Sequence, residues 1–124
     1  MDPTVLVRAG QLLVKKLDET GAAPRVALWV HNVETNTWKL WLVPRNPPPS
    51  PSDFYRKVSE IIRANRTEMT GVEAADVELK SEKHVAIEGV RMLVRAEGLA
   101  NAHFVNTTIN GFYFPEMIVL RSAL

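Results

Sequence analysis

The chain has 124 residues, 46% of them apolar and 23% charged, which suits one domain with a core of its own and excludes a long disordered segment. Its 15 basic and 14 acidic side chains leave a net charge of +1, so no global field draws it to nucleic acid or anionic lipid. It has no cysteine, which excludes disulfides, thiolate metal sites and cysteine nucleophiles and suits a reducing cytoplasm.

The first residues, MDPTVLVRAGQLLVKKLDE, have an acid at position 2 and no long apolar run, so they read as a helix and not as a secretory signal. Asp2 is placed to accept the free amides of the first turn, and Pro3 suits the first helical position. Val5, Leu6, Ala9, Leu12, Leu13 and Leu17 recur at spacings of three and four, and Gly21 supplies the stop. A helix over about 3–19 is predicted. No segment nears the ~20 apolar residues of a membrane span, and no membrane partner is expected.

RVALWVHNVETNTWKLWLV follows and reads as a β-hairpin over 25–43, turning at Glu34-Thr35-Asn36-Thr37 with Val33 opposite Trp38. One face then carries Trp29, His31, Trp38, Leu40 and Leu42, and the other Val26, Leu28, Val30, Trp41 and Val43. Neither face is polar, so the pair is expected to be covered on both sides. The strand has to end near Pro44, because proline cannot feed a sheet ladder. The proline run that follows is read as a stiff bridge to the next helix. Ser50 is a good cap for that helix, with Pro51 first and Asp53 third. Phe54, Val58, Ile61 and Ile62 carry its apolar stripe, so a helix over about 51–66 is predicted.

Residues 70–81 are ambiguous between a capped helical turn and a short strand at Val77-Glu78-Leu79-Lys80. The stretch 81–98 has helical spacing, with Val85 or Ala86, Val90, Leu93 and Val94 inward and Gly98 as its end. A second hairpin turns at Asn110-Gly111, the strongest two-residue hairpin signal. Pro115 in its last strand predicts an edge position or a bulge. The fold class that follows is α+β: one domain over 1–124, with two hairpins and a short strand in a mixed or antiparallel sheet, flanked by about three helices.

Chemical motifs are sparse. His31, His84 and His103 show no metal-ligand spacing, and no serine lies in a nucleophile elbow. Glu78-Leu79-Lys80 resembles the acid-x-lysine element of restriction-endonuclease-like nucleases. That resemblance implies a divalent metal held near Glu78 and a water oriented by Lys80. Those nucleases also need an acid on the preceding strand, whereas TWKLWLV has none. Trp29, Trp38, His31 and Lys39, with Arg45, Arg56, Lys57, Arg63 and Arg66 after them, suggest bases stacked on rings and phosphates met by cations. The leading expectation is a non-enzymatic interaction protein, binding a second copy or another protein through Trp29, His31, Trp38, Leu40 and Leu42. The alternatives are a nucleic-acid-binding module and, further off, a nuclease. No catalytic residue, metal ligand or cofactor is assigned.

Overall fold

The computed structural model describes residues 2–46 and 50–123, so the proline run at 47–49 lies outside the described residues. Helix α1 spans Pro3–Glu19, as the spacing predicts. The Asp2 carboxylate accepts from the Thr4 amide at its start. Gly21, at φ 77°, closes its end, with the Ala22 amide returning to the Leu17 carbonyl. Strands β1 (Pro24–Asn32) and β2 (Thr37–Pro44) form the first hairpin. Helix α2 spans Pro51–Ala64, with the Ser50 hydroxyl accepting from the Asp53 amide. A 3₁₀ turn at Ala74–Asp76 leads into strand β3 (Val77–Leu79). Helix α3 is Val85–Leu93, and strands β4 (Ala102–Ile109) and β5 (Phe112–Ser122) form the second hairpin.

The five strands make one mixed sheet in the order β3-β2-β1-β5-β4, parallel at β2–β3 and antiparallel elsewhere. The fold is thus the α+β class expected. The ambiguous stretch resolves into both readings, a short helical turn and then a short strand. Asn110 and Gly111, at φ 51° and 79°, build the predicted tight turn.

Two details differ from expectation, each for a physical reason. The first hairpin pairs His31 with Trp38, a shift of two residues from the predicted Val33–Trp38 pairing. Asn32 causes the shift: its side-chain oxygen accepts from the Glu34 and Thr35 amides, and the turn therefore starts at Val33. A shift of two keeps every side chain on its face. Helix α3 stops at Leu93 and does not continue towards Gly98. Beyond it Ala96 exchanges two main-chain hydrogen bonds with Ser122, and that tertiary pairing outweighs the helical spacing. Leu93, read as inward, is consequently exposed; of the alternatives Val85 and Ala86 it is Ala86 that turns inward, with Ile87 and Val90.

Because β1 is the middle strand, each face of the sheet needs its own cover. Under α1 and α2 lie Ala27, Trp29, Leu40, Leu42, Val77, Ile118 and Leu120. On the opposite face, Val26, Leu28, Trp41, Val43, Phe114, Met117 and Val119 pack with Ala86, Ile87 and Val90 of α3. The far half of the second hairpin helps cover this face. Ile109 lies against Gly89 of α3, Asn110 donates to the Val85 carbonyl, and Phe112 and Phe114 meet the Trp41 ring at 5.7 and 5.9 Å. The accessible surface is 6727 Å², close to the roughly 6,700 Å² of a compact monomer of this mass. Among the described residues, no helix is long and apolar enough to cross a membrane.

Candidate interaction surface

Three of the five residues expected to meet a partner are core. Trp29, Leu40 and Leu42 are at most 1% exposed. This corrects the expected contact face in its central part. That face lies beneath two helices, and its Trp29 indole donates to the Leu6 carbonyl of α1 at 2.7 Å. The more uniformly aliphatic face around Trp41 is the one left to the shorter α3.

His31 and Trp38 alone of the five reach solvent. They sit opposite each other at the turn end of the hairpin, with ring centroids 4.8 Å apart. The His31 Nε2 atom lies 3.1 Å from the Asn36 side-chain oxygen, which holds the imidazole over the turn. Val33, in the turn itself, is 63% exposed. Across from it stands Tyr113 of β5, 53% exposed, its hydroxyl donating to the Asn106 side chain at 2.7 Å. Between them lies a depression of about 760 Å³, lined by His31, Val33, Tyr113, Pro115 and Glu116 among others.

This end of the sheet is open because two strands part there. The β1–β5 ladder stops at Val30–Met117. Pro115, two residues on, has no amide hydrogen with which to extend it. The second hairpin is also kinked at this level, where Asn106 adopts φ 47° opposite Pro115. The sequence signal of Pro115 therefore marks a real break in pairing, although β5 lies inside the sheet and has an open side only locally. Val33 and Tyr113 escaped the sequence reading, since a turn valine and a hairpin tyrosine carry no motif.

The competing chemistries are dispersed. His84 caps α3 through Nδ1, and His103 pairs with Glu116. Glu78 and Lys80 bind each other at 3.1 Å, and the Lys80 ammonium lies 4.6 Å from the Trp41 ring centroid. Among the described residues no three His, Asp or Glu side chains gather as a metal site would need. The stacking surface expected for nucleic acid shrinks to His31 and Trp38, because Trp29 is buried. Two of its cations are already paired, Arg56 with Asp53 and Arg66 with Glu73. Comparison with protein-family models, with curated proteins and with solved structures returns no match.

Proposed function

We propose that this chain is an interaction protein that self-associates through the turn end of its first hairpin, in the cytoplasm. The observation that carries the reading is the group of His31 and the exposed Val33 and Tyr113 around the depression left by Pro115, with the half-buried Trp38 ring beside His31. Tryptophan and tyrosine supply large contact area at low entropic cost, and both are enriched among the residues that anchor interfaces. A two-fold contact suits such a compact patch, since each copy offers the same surface to the other. The cysteine-free composition fits the reducing compartment.

The test is molar mass by light scattering from one to several hundred micromolar, on the native chain and on Trp38→Ala and Val33→Asp. The expected result is a mass above the monomer that both variants lower, with association roughly thirtyfold weaker for Trp38→Ala, the effect of about 2 kcal/mol at an anchor residue. A monomer at every concentration, or association indifferent to both substitutions, overturns the reading.

A further inference from the structure

The two edges of the sheet are not alike. At β3 the edge is three residues long, and the outward amide of Leu79 is taken by the Tyr55 hydroxyl of α2 at 2.8 Å. At the other edge β4 runs for eight residues, and among the described residues no strand lies outside it. Proteins usually blunt such an edge with lysine, proline or an inward charge. Strand β4, AHFVNTTI, has none of these. Its one irregularity falls at 105–107, where Asn106 has a positive φ and the Thr107 hydroxyl donates to the Val105 carbonyl. The half before the kink remains straight and free.

Beside that half runs a groove of about 650 Å³, between α1 and the β4 edge. Val7, Leu12 and Leu99 give it apolar walls, and Ile118 lies at its base. Gln11 donates to the Ala100 carbonyl at 2.9 Å and fixes the chain as it enters β4. Arg8 and Lys15 stand exposed on the helix side. Among the described residues neither is in an ion pair. Glu116, on the neighbouring strand, is bound by His103. The lining of α1 from Pro3 to Lys15 is about 18 Å long at 1.5 Å per residue, the length of five or six extended residues.

We propose that this groove binds an extended acidic segment of another protein, added as a sixth strand along residues 101–105. Main-chain hydrogen bonds to the free edge supply the affinity, and every second side chain of the segment enters the groove. Arg8 and Lys15 lie about 10.5 Å apart along the helix, at seven residues of 1.5 Å. Two residues four apart on a strand lie about 13 Å apart on one face, a mismatch that long side chains absorb. The recognised pattern is therefore acid-x-aliphatic-x-acid, with the aliphatic side chain towards Val7 and Leu12. This site shares no residue with the hairpin end, and the two readings stand or fall separately.

The test uses two fluorescein-labelled peptides, Gly-Thr-Glu-Thr-Val-Thr-Glu-Thr-Gly and its counterpart with lysine in place of glutamate. Fluorescence anisotropy should show the glutamate peptide binding at least tenfold tighter than the lysine peptide. N-methylation of alternate peptide amides on the ladder-forming side should abolish binding, and on the other side should not. Amide shifts in the native protein should cluster at residues 8–15 and 99–105. The double variant Arg8→Glu with Lys15→Glu, both at exposed positions, should reverse the preference, and Trp38→Ala should leave it unchanged. Equal binding of the two peptides, no binding of either, shifts centred elsewhere, or a self-associated protein whose β4 edge the glutamate peptide does not displace would each overturn the proposal.

Discussion

The Trp29 indole donates to the Leu6 carbonyl at 2.7 Å, directly beneath Gly10 of the same helix. The two features depend on each other. A Cβ at position 10 would stand 2.6 Å from the Trp29 Nε1 atom and 2.5 Å from a methyl carbon of Leu120. Only a residue without a side chain lets α1 approach the sheet closely enough for the bond. In an exposed helix Gly→Ala stabilises by up to about 1 kcal/mol. Here the clash lies against two fully buried side chains, and overpacking costs roughly 1–3 kcal/mol. Gly10→Ala is expected to lower stability despite its better helix propensity. Urea denaturation checks the sign.

The three tryptophans should differ in the order of their burial. Trp29→Ala removes a core side chain and a buried hydrogen bond, and should cost about 3–5 kcal/mol. Trp41→Ala should come next. Trp41 is 6% exposed and touches His84, Phe112 and Phe114, but its cover is a nine-residue helix and a hairpin end. Trp38→Ala should cost least in folding, because Trp38 packs on the core from its rim. Melting temperatures of the three variants, read by circular dichroism, test the order.

Arg121 is 6% exposed and forms a two-pronged pair with Asp18, at 2.7 and 2.8 Å, and a further bond to the Pro24 carbonyl. The pair ties the end of β5 to the last turn of α1. Asp18→Ala leaves a buried guanidinium with one carbonyl for company. Asp18 is itself a third exposed. The cost should therefore fall at or just below the lower end of the buried-pair range, about 2–3 kcal/mol. Arg121→Met, which removes the charge and keeps the apolar stem, should cost less than Asp18→Ala. Equilibrium unfolding of both variants decides it, and the reverse order would show that the guanidinium is well solvated.

Local order was legible in the sequence where it depends on neighbours in the chain. The stripe of α1, the Ser50 cap, the Asn110-Gly111 turn and the alternation of the first hairpin each specify their element within a few residues. Strand order was not legible. Nothing in residues 24–44 announces that β5 lies beside β1, since that pairing joins residues some ninety positions apart. The two apolar faces of the hairpin were read correctly, and their cause is that β1 is central. What covers each face depends on where α1, α2 and α3 dock, which their own stripes do not state. The same limit applies to the contact residues. His31 and Trp38 were picked out by type, whereas Val33 and Tyr113 come together only because Pro115 ends a ladder in three dimensions.

His84 serves α3 twice, and the two services can be separated. Its Nδ1 atom accepts from the Ala86 amide at 3.1 Å, so the imidazole takes the part usually played by serine or aspartate at a helix start. Its ring also stands edge-on to Trp41 at 5.5 Å and Phe112 at 5.9 Å, closing one end of the aromatic cluster on that face. A lost cap costs about 1 kcal/mol, and a lost aromatic contact about 0.5–1.5 kcal/mol. His84→Asn keeps an acceptor and loses the ring, while His84→Phe keeps the ring and loses the acceptor. Each should lose about half of what His84→Ala loses, because the two contributions act through different atoms. Denaturant midpoints of the three variants supply the comparison. If His84→Phe equals the native protein, the hydrogen bond contributes nothing and α3 is held by packing alone. If His84→Asn equals it, the ring is idle and the helix start depends on its cap. Both results would be compatible with the fold, but either would show that one of the two roles assigned to His84 is empty.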